Sequence, residues 1–88
     1  MRNSDEIIVP FEELLLSLTK DNYDSKIQEG YLILLKLRNL GLDRDVVYQT
    51  LYKYYNTMTD NLNSNFIADI LDFVDGWCSQ QYFIWNDR

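Results

Sequence analysis

The stretch IQEGYLILLKLRNL (residues 27–40) decides the fold that we expect of this chain. Wound as a helix at about 100° per residue, it has no clean polar half. Apolar side chains cover most of its circumference, and they are Ile27, Tyr31, Ile33, Leu34, Leu35, Leu37 and Leu40. A helix that is apolar nearly all round is covered by neighbours on several sides. We therefore expect this second helix at the centre of the fold, with the other helices packed onto it.

Length and composition predict a single helical domain over residues 1–88. A chain of this size buries only about 60–65 % of the surface that its unfolded form exposes, which allows one modest core. The sequence is 47 % hydrophobic and 15 % aromatic, which is too apolar for a disordered chain. It contains only three glycines and one proline, and so few helix breakers favour helices over a turn-rich β fold. We therefore expect an all-α fold, a small four-helix bundle.

The first helix is predicted over residues 10–20. Pro10 suits the first turn of a helix, where its missing N–H is not needed. Glu12 and Glu13 follow in that turn, where acidic side chains interact favourably with the helix dipole. An apolar stripe completes the pattern, with Phe11, Leu14, Leu15 and Leu18. Residues 1–9 are compatible with either an extended arm or an early helical turn.

The second helix is bounded by a possible cap and a glycine. Asp24 or Ser25 can cap its start through a side-chain oxygen, and Gly41 can take the left-handed conformation that ends a helix. Asp43 is then placed to cap the third helix. So short a connection predicts that the second and third helices form a tight antiparallel or steeply crossed hairpin. Gly30, inside the second helix, indicates the close approach of a neighbouring helix.

The third and fourth helices are predicted over residues 44–59 and 65–78, with Asn63 or Ser64 as the cap of the fourth. The core side of the third helix comprises Val47, Leu51, Tyr54 and Met58. The fourth is the most clearly amphipathic, with an apolar arc of about 160°. That arc comprises Phe66, Ile67, Ile70, Leu71, Phe73, Val74, Trp77 and Cys78. Residues 79–88 are rich in aromatic side chains, and we expect this tail to dock back on the bundle.

The net charge of −6 and a pI near 4.3 restrict the partners of this chain. Nucleic acid and anionic membranes would be repelled by such a surface. A basic partner would be attracted, and its association would be accelerated by electrostatic steering. The alternative is that the acidity only maintains solubility.

Several features predict a cytoplasmic protein. A single cysteine, Cys78, cannot form an intramolecular disulfide, which fits a reducing compartment. Residues 1–10 hold no apolar segment long enough for a secretory signal. The longest apolar run, residues 31–35, is far too short to span a membrane.

The residue inventory argues against an enzyme. The chain has no histidine, so a histidine-based triad or metal ligand cannot be formed. Cys78 is best explained as a small core residue. No glycine-rich phosphate loop is present. We expect no catalytic residue, no metal and no cofactor.

Two groups of side chains are the candidate binding residues. Asp69, Asp72 and Asp75, here called the acidic strip, fall opposite the apolar arc of the fourth helix. Carboxylates on such a face can pair with Arg and Lys of a partner, or they can simply keep the helix solvated. The tyrosine row, comprising Tyr48, Tyr52 and Tyr55, flanks the core side of the third helix and ends near Asp45. Tyrosine is enriched in binding hot spots, although the rings can also merely close the edge of the core.

The segments LRNLGLDRDVVY (residues 37–48) and DFVDGWC (residues 72–78) resemble a known kind of protein. The chain resembles, over roughly residues 27–78, small bacterial immunity proteins encoded beside polymorphic toxins, of the contact-dependent growth inhibition and Maf-associated kinds. The shared features are a helix-ending Gly41, a cap at Asp43 and an anchor at Trp77. In size, acidity and helical content the chain is also similar to the colicin-nuclease immunity proteins.

The resemblance implies an antidote that binds a toxin domain in the cytosol and blocks its active site or substrate groove. A toxin that acts on RNA or DNA needs a basic groove, which an acidic antidote fits. We therefore expect a monomer in a one-to-one complex with a basic toxin domain, with no direct contact to nucleic acid or membrane. Two alternatives are a phage-encoded nucleic-acid mimic that inhibits a host defence nuclease, and a plain helical adaptor.

Overall fold

A computed structural model describes residues 2–76 and 84–85 of the chain, with side chains from residue 5 onward. Four helices follow one another: α1 (Arg2–Leu16), α2 (Tyr23–Asn39), α3 (Arg44–Tyr55) and α4 (Asn61–Asp75). The described ranges contain no β-strand. The predicted all-α four-helix bundle is therefore confirmed.

Among the described helices α4 contributes the most buried side chains, and the prediction that α2 is the central helix is wrong, because α2, like each of the others, packs mainly on two neighbours. The fully or nearly fully buried side chains of α4 are Phe66, Ile67, Ile70, Leu71 and Val74. This helix packs on both α3 and α2, whereas α1 covers the other side of α2 and α3. The wide apolar surface of α2 is shared between its contacts with α4 and with α1. The side chains at the edges of that surface remain outside the core. Leu32 and Leu40 are accordingly 62 % and 65 % exposed.

The first helix begins at Arg2 and ends at Leu16, so both predicted bounds are wrong. Pro10 lies inside the helix, where it removes one backbone hydrogen bond. Burial of Ile7 and Phe11, four residues apart on one face, continues the helical pattern on both sides of Pro10. The alternatives for residues 1–9 are thus resolved in favour of a helix from Arg2 onward.

The turn between α1 and α2 is held by Asn22. Its side-chain oxygen accepts a hydrogen bond from the backbone N–H of Thr19 at 2.8 Å. Its side-chain nitrogen donates to the carbonyl of Ser17, also at 2.8 Å. The helix then starts at Tyr23 without a side-chain cap. The predicted caps, Asp24 and Ser25, are therefore wrong, because the chain is already turned by Asn22.

The connection between α2 and α3 follows the sequence prediction closely. Gly41 has a φ of +93°, and its N–H donates to the carbonyl of Arg38 at 2.9 Å. The N–H of Leu42 donates to the carbonyl of Leu37 at 3.2 Å, and these two bonds together form a Schellman motif at the end of the helix. The Asp43 carboxylate caps α3 by accepting from the N–H of Asp45 at 3.1 Å. Because α2 and α3 are not among the extensively packed helix pairs, the closely packed antiparallel hairpin is excluded.

The last two helices differ from their predicted bounds. Helix α3 stops at Tyr55, four residues before the predicted end at residue 59. Helix α4 starts at Asn61, because Asp60 caps it by accepting from the N–H of Asn63 at 2.9 Å. The caps predicted at Asn63 and Ser64 are wrong, since both residues lie within the first turn. Helix α4 ends at Asp75, where Gly76 takes a φ of +91°.

The expected docking of the C-terminal tail is seen at two residues. Ile84 and Trp85 are buried in the core, with 2 % and 6 % exposure. The indole Nε1 of Trp85 donates to the carbonyl of Leu42 at 3.3 Å, which ties this segment to the connection between α2 and α3. The other expectations on this part, for residues 77–83 and 86–88, lie outside the described residues.

Helices α2 and α4 approach each other closely at Gly30, as predicted. A Cβ atom added at Gly30 would lie 2.5 Å from Cδ1 of Ile70, which is inside van der Waals contact. It would also lie 3.5 Å from the ring of Phe11. Glycine is therefore used here for space, although glycine within a helix is less favourable than alanine by about 1 kcal/mol.

A double-mutant cycle tests this contact. We expect Gly30→Ala to lower the free energy of unfolding by about 1 kcal/mol, because overpacking of about 1–3 kcal/mol exceeds the gain in helix propensity. Ile70→Val removes Cδ1 and alone should lower it by about 0.5–1.5 kcal/mol. The double variant should lose about 1 kcal/mol less of the free energy of unfolding than the two single losses added together, as measured by urea unfolding. If the effects of the two single substitutions on the free energy of unfolding simply add in the double variant, the close approach of α2 and α4 is contradicted.

Candidate functional site

The packing of α4 determines where the acidic strip lies. Since the apolar side of α4 is directed into the bundle, Asp69, Asp72 and Asp75 are all exposed on its outer side. Their spacing of three residues places them one turn apart along the helix surface. The predicted acidic face is therefore formed, as one continuous line of carboxylates.

The tyrosine row is formed on α3 by ring stacking. The rings of Tyr48 and Tyr52 have centroids 5.9 Å apart and planes within 11° of parallel. Those of Tyr52 and Tyr55 are 6.3 Å apart, with planes at 23°. Tyr52 is 44 % exposed, while Tyr48 and Tyr55 are half-buried. Tyr48 and Tyr55 pack against the core, and Tyr52, stacked between them, is the most accessible ring of the row.

The strip and the row adjoin each other. Partial burial raises the pKa of the Tyr48 phenol, and the nearby charge of Asp75 raises it further, followed by Tyr52 and Asp72. This influence reflects the packing of α3 on α4, which is the most extensive between any two of the described helices. The three carboxylates of the acidic strip and the three rings of the tyrosine row therefore belong to one surface.

A second tyrosine contacts the strip from the side of α2, and the sequence pattern does not reveal it. The hydroxyl of Tyr23 donates to Oδ2 of Asp69 at 2.6 Å. Its ring meets that of Phe66 edge to face, with centroids 5.7 Å apart. Burial, the hydrogen bond to Asp69 and the charges of Asp69 and Asp24 together raise the pKa of Tyr23. The only hint of this contact in the sequence is that Tyr23 is the one aromatic residue in the polar segment of residues 21–25.

The central carboxyl of the acidic strip, that of Asp72, is electrostatically disfavoured in the isolated chain. Within the described residues, no Lys or Arg forms an ion pair with any of the three carboxylates of the strip. Asp72 is exposed as a residue, yet partial desolvation raises the pKa of its carboxyl, and the charges of Asp69 and Asp75 raise it further. Asp75 also ends α4, where the helix dipole disfavours an acid and the last turn holds no base.

Asp45 lies at the edge of this surface. It occupies the first turn of α3, three residues before Tyr48, and so shares a side of the helix with it. Its carboxylate is 77 % exposed and lies 3.4 Å from Nη2 of Arg44. The structure therefore places Asp45 beside the tyrosine row but gives it a cation of its own, unlike the carboxylates of the strip.

The surface offers binding chemistry of one kind. Its carboxylates accept hydrogen bonds from guanidinium or ammonium groups, and its tyrosine faces can pack against the same cations. The described residues include no group of acidic or cysteine side chains suited to holding a metal ion. Among the described helices, none combines the length and apolarity needed to cross a membrane.

Comparisons of the chain with known protein families, with curated proteins and with solved structures found no match. Function is therefore inferred from the geometry of this surface and from the short motifs of the sequence.

Removing the central charge of the strip should stabilise the fold at neutral pH. Because the pKa of Asp72 is higher in the folded than in the unfolded chain, the folded chain holds more protons between these two values. The ionised carboxyl therefore lowers the free energy of unfolding as the pH rises through that interval. We expect Asp72→Asn to raise this free energy at pH 7 by about 0.5 kcal/mol or less, since exposed charges interact weakly.

The gain from Asp72→Asn should disappear below the ordinary aspartate pKa of 3.8, where the carboxyl is protonated in both states. Urea unfolding across pH 3–8 measures this, with Glu29→Gln on the exposed side of α2 as the control for net charge. An equal gain from the control, or a gain that persists at the lowest pH, would show that repulsion within the strip is not the cause.

Proposed function

We propose that this chain is an immunity protein that binds a basic bacterial toxin domain one to one and covers its active site or substrate groove. The observation that carries the proposal is the acidic strip, three exposed carboxylates that repel one another and have no cation partner among the described residues. A partner that brings Arg or Lys to the strip relieves this repulsion. Neighbouring carboxylates without a cation of their own are expected of a surface that binds a cationic partner.

The acid and tyrosine side chains complement each other in such a complex. A charge-assisted hydrogen bond to a carboxylate contributes about 1.5–3 kcal/mol, and guanidinium groups form it with two parallel bonds. Tyr52 is 44 % exposed beside the strip, so its phenol can contribute contact area and a hydroxyl group to a partner. Tyr23 holds Asp69 in place through its hydrogen bond, so that this carboxylate loses little freedom on binding.

The net charge supports a nuclease as the toxin. An enzyme that cuts RNA or DNA requires a basic groove for the phosphates. A chain of net charge −6 with a line of carboxylates is attracted to that groove and associates rapidly. The resemblance to immunity proteins of contact-dependent inhibition and Maf systems supports the same function, which would be exerted in the cytoplasm.

Growth rescue by charge-matched variants tests the proposal. The product of the gene directly upstream is induced as the toxin, in cells that express this chain. Asparagine at Asp69, Asp72 and Asp75 removes three charges, while its amide oxygen can still accept the bond from Tyr23. We expect binding to weaken at least about tenfold, because even one lost charge-assisted bond exceeds about 1.4 kcal/mol. Growth in the presence of the toxin should fall accordingly.

The control removes three charges elsewhere. Glu6→Gln, Asp21→Asn and Glu29→Gln alter exposed acids on α1, the following turn and α2, and the net charge changes by the same amount. We expect this variant to rescue growth like the wild type. Equal loss in both triple variants would mean that only overall charge matters. Full rescue by the strip variant would exclude the strip as the contact surface.

A further inference from the structure

A second surface of the chain is an apolar groove between α1 and the connection from α3 to α4. The groove has a volume of about 680 Å³. Its apolar walls are Val9, Leu15, Leu16, Tyr54 and Met58. The groove shares no residue with the acidic strip or the tyrosine row, so its role as a binding surface is independent of the proposed function.

The α1 side of this groove is an exposed face with mixed character. Val9, Glu12, Glu13 and Leu16 follow the spacing i, i+3, i+4 and i+7, which places them on one side of the helix. Leu16 is 87 % exposed, the highest value for a large hydrophobic side chain among the described residues, and Val9 is 43 % exposed. The opposite side of α1 supplies Ile7, Phe11 and Leu14 to the core. The apolar residues of the exposed face are thus not required to fold α1.

The rim of the groove is acidic. Glu12, Glu13 and Asp60 line it, and none of the described residues that line it is Lys or Arg. Burial and the nearby charge of Glu12 raise the pKa of Tyr54, which places that carboxylate close to the aromatic wall. An apolar cleft edged by carboxylates on two sides matches an apolar ridge with cationic residues on its flanks.

A second copy of this chain does not provide the cationic flanks that the acidic rim requires. A symmetrical pairing brings the same patch of each copy together, so Glu12, Glu13 and Asp60 would face their own counterparts. Like charges placed together at an interface disfavour association. The charge of the rim therefore favours a basic occupant over a dimer.

We propose that this groove docks an amphipathic helix of a basic partner protein. Its apolar ridge would lie against Leu16, Tyr54 and Met58, while Lys or Arg on its flanks would pair with Glu12, Glu13 and Asp60. In this kind of binding, apolar side chains at helical spacing fill the groove, and the charged side chains orient the bound helix. The chain then has two separate binding surfaces, of which the groove takes an apolar ridge and the acidic strip takes exposed cations.

A synthetic peptide tests the groove directly. The probe is a helical peptide of about 14 residues, or four turns, made of leucine and lysine with all leucines on one face. A peptide of the same composition in scrambled order, without an apolar face, is the control. Binding is measured by calorimetry at physiological salt, and amide chemical shifts locate the site. We expect the shifts to cluster at Val9–Leu16 and Tyr54–Asn63, and the scrambled peptide to bind about tenfold more weakly.

Matched variants make the test specific. Leu16→Glu and Leu32→Glu replace exposed leucines on different helices, and neither residue belongs to the core. We expect about tenfold weaker binding for Leu16→Glu and less than about twofold change for Leu32→Glu. In the same way, Glu13→Lys should weaken binding more than Glu29→Lys.

Three results would overturn the proposal. One is equal effects of the matched variants, and another is chemical shifts confined to the acidic strip. The third is a dimer of the free chain that Leu16→Glu dissociates in sedimentation experiments, which would assign the groove to a second copy.

Discussion

The fit of α4 against Gly30 of α2 is the constraint on which the rest of this structure depends. Ile70 occupies the space that a side chain at Gly30 would take, on the side of α4 that buries Phe66, Ile67, Leu71 and Val74 as well. The polar side of α4 must then face outward, because no polar or charged residue in the described chain is buried. The burial of this side of α4, to which the contact at Gly30 contributes, thus determines both the core and the outward orientation of the acidic strip.

The same packing explains why the strip lies between tyrosines. Helix α4 is covered by α2 on one side and by α3 on the other, and each neighbour brings a phenol to the edge of the carboxylate line. Tyr23 donates a hydrogen bond to Asp69, whereas Tyr48 lies within electrostatic reach of Asp72 and Asp75. The surface therefore combines a line of carboxylates with aromatic side chains, which is the basis of the proposed binding to a cationic partner.

The sequence predicts those features that depend on local chemistry. Periodicity alone assigns Asp69 to the exposed side of α4, and Gly41 with Asp43 marks the boundary between α2 and α3. Local sequence signals give a wrong prediction where contacts between distant parts of the chain determine the structure. Pro10 is favourable at a helix start, yet burial of apolar residues before it extends α1 to the N-terminal side. The contact of Tyr23 with Asp69 joins residues 46 positions apart, and no local pattern encodes it.

Co-purification tests the central claim most directly. The chain, carrying a tag, is expressed together with the product of the gene directly upstream and analysed by size-exclusion chromatography at increasing salt. We predict a one-to-one complex with a basic domain, whose association slows as salt screens the acidic strip. Absence of a complex at low salt would contradict the assignment as an immunity protein for that toxin.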